Sequence, residues 1–199
     1  AVTRRANQIF CELALLLGAV SDDPDQYDYD HYEFLQVAVD PPTAAALAET
    51  EDIVLTPAIQ AQAAELGNNP VKIYNWVRNH IEFIPSYGSI QGADLTLQTK
   101  RGNAMDTASL LIGLLRASNI PARYVYGTVQ IPSTQVMNWV GGVTKVEAAQ
   151  SLLGQGGIPN VGLASGGQIK AIKLEHVWVE AYVDYGPSRG AINRRAGSW

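Results

Sequence analysis

The stretch from Gly102 to Gly127 leaves a folding chain little choice. It reads Gly-Asn-Ala-Met-Asp-Thr-Ala-Ser-Leu-Leu-Ile-Gly-Leu-Leu-Arg-Ala-Ser-Asn-Ile-Pro-Ala-Arg-Tyr-Val-Tyr-Gly. Leu110, Leu111, Leu114 and Leu115 recur at helical spacing and form an apolar stripe, while Asn103 with Asp106 three residues on forms a capping pair. Asn119 is placed to end this helix, and Pro121 forbids its continuation. Tyr124 to Ile131 then reads as a strand, stopped by Pro132. A helix that enters a strand through so tight a turn has to pack against it. The expected class is α+β, with this helix lying on a small antiparallel sheet.

A second strand is written in Glu175 to Val183. Alternation sends His176, Trp178, Glu180 and Tyr182 to one face and Val177, Val179, Ala181 and Val183 to the other. Upstream, Thr56-Pro57 supplies an N-cap and a first-turn proline for a helix carrying Ile59, Ala63 and Leu66. A further helix from Pro70 sets Val71, Tyr74, Val77 and Ile81 on one side. An Ala-rich helix is expected over residues 43–51, and an irregular surface loop near the site over residues 82–101. Residues 133–169, rich in glycine pairs, read as an insertion that interrupts the core, with a small helix at 145–153. Residues 1–53 form a helical extension and residues 54–199 the core.

Composition narrows the function. The chain has 199 residues, 47% of them hydrophobic and 17% charged, enough for a packed core. A net charge of −5 with only two Arg doublets argues against binding nucleic acid. The longest strongly apolar run, Leu13 to Val20, is short of the ~20 residues that span a bilayer. The glycine pairs have no phosphate-loop context. The Asp22–Asp30 cluster lacks the glycine and glutamate of a calcium loop, so it reads as a solvated acidic loop. The single cysteine, Cys11, excludes an internal disulfide, and its apolar helical neighbours assign it to packing. His31 and His80 read as surface or packing residues, and the three histidines match no metal-ligand spacing. The chain starts with Ala rather than Met, which reads as an excised fragment.

Taken together, the Gly102–Gly127 unit, the His176-Val177-Trp178-Val179-Glu180 strand and the helical lead-in from Leu55 to Phe83 resemble the transglutaminase-like core of the papain-like thiol enzymes, over roughly residues 54–185. In that family a cysteine heads the long helix. A thiol there is favoured as thiolate by the helix dipole and unpaired N–H groups. A strand histidine pairs with it and a carboxylate orients the imidazole. The resemblance implies a site at position 104 with His176 as partner and the helix terminus at Asn103 and Met105 as the oxyanion site. It implies acyl transfer on an amide of a protein or peptide substrate, without a cofactor or metal, in a bacterial exported or surface protein.

Ala104 occupies the nucleophile position and cannot form an acyl-enzyme. Two origins fit: a cysteine or serine replaced to trap or detoxify the protein, or a natural domain that gave up catalysis and binds a protein ligand in its cleft. The third member of the triad is expected on a strand beyond Trp199, so the core is read as cut short there. Asp184, the only acidic residue after Glu180, follows His176 by eight residues, roughly 26 Å if extended, and is a poor orienter.

Overall fold

The computed structural model describes residues 42–183. Capping chemistry sets its first helices. Thr56 accepts the Ile59 N–H at 3.3 Å ahead of α1, Pro57–Glu65. Asn69 accepts from Val71 and Lys72 at 3.1 and 3.0 Å ahead of α2, Pro70–His80. In both, proline sits at the first helical position, where its missing N–H costs nothing. The buried stripe of α2 is centred on Ile73 and Val77, with Val71, Tyr74 and Ile81 half-covered beside it.

The expected helix over residues 43–51 is replaced by one 3-10 turn, Ala44–Ala46, and an isolated bridge between Thr50 and Ile53. Nine alanine-rich residues are too few to offset the cost of helix nucleation unless a face is buried, and here only Ala46 is. The expected irregular loop also contains structure: β1, Glu82–Phe83, pairs in parallel with β2, Arg101–Gly102, around the helix α3, Gly92–Thr99. Helix α3 buries Ala93, Thr96 and Leu97, a packing gain that its local sequence does not advertise.

At the centre lies α4, Ala104–Ala117. Every residue from Ala108 to Arg116 is buried, so the apolar stripe read from the leucines is one part of a fully covered surface. Ile59, Ala63, Ile73, Val77, Ala93 and Leu97 cover it from the helical side, and Ala122, Val177 and Val179 cover it from the sheet. Asn119, at φ 58°, ends the helix in the left-handed conformation, and β3 follows as Ala122–Pro132. Arg116 staples this turn: its Nε and Nη2 donate to the Ala122 carbonyl at 3.2 and 2.8 Å, and Nη1 donates to Ala48.

Residues 133–169 form a second core, contrary to the expectation that they interrupt one. They contain α5, Ser133–Trp139, α6, Val146–Gln155, and β4, Asn160–Ser165. Gly166 and Gly167, both at positive φ, make the two-residue turn from β4 into β5, Gln168–Ala181. The antiparallel order is β3-β5-β4, with Gly127 opposite His176. Val136, Val140, Ala149 and Leu153 close over Val129, Ile131, Ile172 and Leu174 at the distal half of the hairpin. The apolar residues between the glycines build this core, and the glycines themselves serve the turns.

Replacing Ile112, which is fully buried in α4, by alanine is expected to lower the unfolding free energy by about 2–5 kcal/mol. Leu95→Ala, at a side chain 45% exposed, should change it by less than about 1 kcal/mol, both read from urea titrations.

Candidate active site

The start of α4 is held by four short-range devices. The β1–β2 pair brings the Glu82 N–H to the Lys100 carbonyl at 2.8 Å and the Ile84 N–H to Gly102 at 2.9 Å. Gly102 is closely surrounded, since a Cβ there would lie 3.1 Å from Thr96 Cγ2 and 3.2 Å from Asp106 Cβ. Asn103 is buried at the N-cap: its Oδ1 accepts the Asp106 N–H at 2.9 Å and its backbone carbonyl the Thr107 N–H at 3.0 Å. Its Nδ2 donates to the Gly88 carbonyl at 2.7 Å and to Ser86 Oγ at 3.3 Å, tying the loop after β1 to the helix.

Asp106 does more than the capping pair anticipated. It does not reach back to Asn103. Instead its Oδ1 accepts three successive backbone N–H groups, from Ile90 and Gln91 at 3.0 Å each and from Gly92 at 3.2 Å. It is 2% exposed, its bond to Gly92 is buried and the other two are part-buried, and the carboxylate sits in the first turn of α4 where the dipole favours it.

Ala104, the first residue of α4, borders a cleft with His176 on β5. The cleft has two lobes. One lies against Val77, Arg78, Ile81, Thr107 and Leu111; the other lies against Ser86, Tyr87, Gly88, Met105, Tyr126 and Glu175. Phe83, Ala104, Trp139, His176 and Val177 border both lobes. Since the cap claims the N–H groups of Asp106 and Thr107, those of Ala104 and Met105 have no acceptor among the described residues.

His176 is 7% exposed, and its ring has no hydrogen bond among the described residues. It meets Trp139 edge-on at 5.7 Å between centroids, and Trp139 in turn stacks on Phe83 at 4.2 Å. Burial in this aromatic setting pushes the imidazole pKa down to about 4, because desolvation disfavours the cation. Strand alternation is as the sequence predicts, with Val177 and Val179 joining the α4 core and Trp178 the second core. Trp178 lies against Gly127, where a Cβ would come within 3.0 Å of its ring.

The second lobe carries a cluster the sequence did not reveal. The Tyr87 hydroxyl donates to Glu175 Oε2 at 2.9 Å, the Tyr126 hydroxyl donates to the same oxygen, and the two hydroxyls stand 2.6 Å apart. These bonds hold the Glu175 carboxyl below the usual carboxylate range and push the Tyr126 phenol up. The residues come from three elements, so no sequence spacing announces them.

Of the residues singled out from sequence, Ala104, His176, Asn103 and Met105 come together around α4, with the Asn103 side chain occupied by its cap and loop bonds. Asp184, Cys11, His31 and the acidic cluster lie outside the described residues. His80 is exposed, bonded through Nδ1 to the Trp76 carbonyl at 2.8 Å and stacked on the Trp76 ring. Trp139 and Phe83, which wall the cleft, went unread. An aromatic residue inside a glycine-rich segment was the available signal for Trp139. No helix of the described residues is long and apolar enough to cross a membrane.

Asp106→Ala would leave the buried Gly92 N–H and the part-buried Ile90 and Gln91 N–H groups without their acceptor and should cost about 1–3 kcal/mol, while Asp106→Asn, which keeps an acceptor oxygen, should cost less than half as much, by thermal or denaturant unfolding. His176 generates a pH dependence with a definite sign. Above pH 6.5 it is neutral in both states; between 6.5 and about 4 the unfolded chain binds a proton that the native chain refuses, so stability falls as pH falls. At 1.36 kcal/mol per unit the full effect is roughly 3 kcal/mol. Unfolding curves across that window should be less steep in pH by up to one proton for His176→Phe than for the unmodified chain.

The model of the transglutaminase-like superfamily matches residues 55–188, well over half of the chain. Neither the curated proteins nor the solved structures give a match. With a central helix packed on a small antiparallel sheet and the family match running from the lead-in helices through the His176 strand, the chain belongs to the transglutaminase-like superfamily.

Proposed function

We propose that the cleft between α4 and β5 is an acyl-transfer site for carboxamides in which Ala104 stands at the nucleophile's position, so that this sequence binds an amide-bearing protein or peptide without turning it over. The observation that carries the reading is the state of the α4 terminus. Ala104 heads a capped helix, its own N–H and that of Met105 are unclaimed, and it shares both lobes of the cleft with His176.

With a thiol at position 104, each group has a task. The helix terminus and a protonated His176 favour the thiolate, which attacks the carboxamide carbon. The N–H groups of residues 104 and 105 receive the oxyanion. His176 gives its proton to the departing amine, leaving a thioester that water or a second amine resolves. Glutamine deamidation, transamidation and peptide cleavage differ only in which carbonyl enters and which nucleophile leaves with the acyl group. Asp184, the one acidic residue of the given sequence after Glu180, is a weak candidate for orienting the imidazole, since it follows His176 by eight residues.

A binding module using the same cleft is the second reading. The buried His176 is in keeping with it, since desolvation lowers the imidazole pKa to about 4 and the ring has no hydrogen bond among the described residues.

Ala104→Cys separates the two. On the acyl-transfer reading, a chloroacetamide or iodoacetamide probe labels residue 104 well below pH 8, and the His176 pKa measured by NMR rises by at least about two units, because a thiolate within reach stabilises the imidazolium. A folded variant that labels only at the pH of an ordinary thiol, with His176 still titrating near 4, leaves the binding module standing and removes the enzyme.

A further inference from the structure

The two lobes of the cleft differ in charge. Glu175 borders the second lobe, whereas the first is bordered by one cation, Arg78, and by no carboxylate. In a chain of net charge −5 such a cavity runs against the average surface. Arg78 stands exposed in the last turn of α2, directly after Val77, whose burial anchors this turn in the core. The helix dipole favours a cation there but does not occupy the donors of a guanidinium. Among the described residues the Arg78 guanidinium has no ion pair and no hydrogen bond, whereas Arg101 is paired with Glu82 at 3.1 Å and Arg123 with Glu180 at 2.8 Å.

A second donor of the same lobe is unmet. Trp178 borders it, and its indole Nε1 is buried without a hydrogen-bond partner among the described residues. A donor held out of water with nothing to receive it is a cost that an acceptor on a ligand removes. The rest of the lining is largely apolar, with Val77, Ile81, Leu111 and Val179 among it. We propose that the first lobe is a subsite for a peptide carboxylate: the Arg78 guanidinium pairs with it at the rim, an adjoining apolar side chain of the peptide fills the space along Val77, Ile81 and Leu111, and Trp178 Nε1 donates to a ligand oxygen. The planar fork of a guanidinium matches a carboxylate in a bidentate pair. A phosphate, with more charge to neutralise, would meet one cation where it calls for several.

Arg78 and Ala104 border the same lobe from two helices, and α2 and α4 share one core through Val77 and Leu111, so the backbone that carries the arginine has a fixed place relative to position 104. A peptide that offers its carboxamide to position 104 would then carry its carboxylate on a neighbouring residue or at its own C-terminus. That link between the two groups rests on the acyl-transfer reading; pairing of Arg78 with a carboxylate does not.

The test uses the full chain with Ala104 in place and three peptides of nearly equal size, with binding followed by calorimetry and by heteronuclear NMR of the indole N–H groups. Nα-acetyl-Leu-Gln amide is neutral, Nα-acetyl-Leu-Glu amide carries a side-chain carboxylate, and Nα-acetyl-Leu-Gln with a free C-terminus carries a terminal one. At least one carboxylate peptide is expected to bind about fivefold or more tightly than the neutral peptide, the scale of a bidentate guanidinium–carboxylate pair at a solvent-facing rim. The Trp178 indole N–H signal should move on binding. The preference should vanish in Arg78→Gln and shrink in Arg78→Lys, which keeps the charge and loses the fork. Tighter binding of the Glu peptide assigns the subsite to an acidic side chain, and tighter binding of the free acid assigns it to a chain terminus. Equal affinity for all three peptides, no binding of any, or a preference that survives Arg78→Gln in a folded variant overturns the proposal. So does a preference lost in Arg78→Gln while the Trp178 signal never moves, since the carboxylate then sits on the outer surface of α2. Labelling of Ala104→Cys is read separately. Labelling without a carboxylate preference removes the subsite alone, and a preference without labelling leaves the subsite as part of a binding module.

Discussion

A single carboxylate oxygen, Asp106 Oδ1, accepts three consecutive backbone N–H groups, and the site is built around that contact. Asp106 is in the first turn of the helix that Ala104 begins, and Ile90 to Gly92 lead into α3, so the bond locks the register of two helices and the loop between β1 and α3. Charge-assisted bonds to backbone N–H groups are among the stronger polar contacts a protein makes, and losing the acceptor leaves the buried Gly92 donor without a partner. Asn103 completes the arrangement from the other side by holding Gly88 and Ser86. Asn103 also takes the third and fourth N–H groups of α4, through its Oδ1 and its carbonyl, which leaves the first two without an acceptor among the described residues.

Electrostatically the cleft is uneven. Around His176 it is aromatic, with Trp139 edge-on to the ring and stacked on Phe83, and burial disfavours the charged imidazole. At the opposite edge Glu175 is ionised and wet, kept so by two phenols. A thiolate at position 104 would invert the first environment. An alanine leaves it as it is, which ties the state of the histidine to the identity of one residue on another element.

The contribution of residues 133–169 is architectural and reaches the site twice. Their apolar residues make a second core with the distal half of β3 and β5, and the end of α5 delivers Trp139 to the ring of His176. The C-terminal end of α6 presses Gly156 against the loop of Tyr87 so closely that no side chain fits. Neither contact touches position 104, yet each shapes one lobe beside it.

Local rules alone determined a good part of this protein. Thr56-Pro57 and Pro70 announce helix starts, Asn119 and Pro121 announce a stop, and alternation from Glu175 to Val183 predicts which residues share a face, because caps, proline and pleat act within a few residues of each other. The pairing of Ala104 with His176 was legible only through a family resemblance, since 72 residues separate them and no periodicity spans such a gap. Tertiary structure decided the rest. It made α3 a helix by burying Ala93 and Leu97, turned Asp106 from a cap partner into the anchor of Ile90–Gly92, raised Trp139 from an insertion to the wall of the site, and brought Tyr87, Tyr126 and Glu175 to one oxygen. Those outcomes depend on which distant surfaces exclude water from one another, and that is settled only when the two cores close.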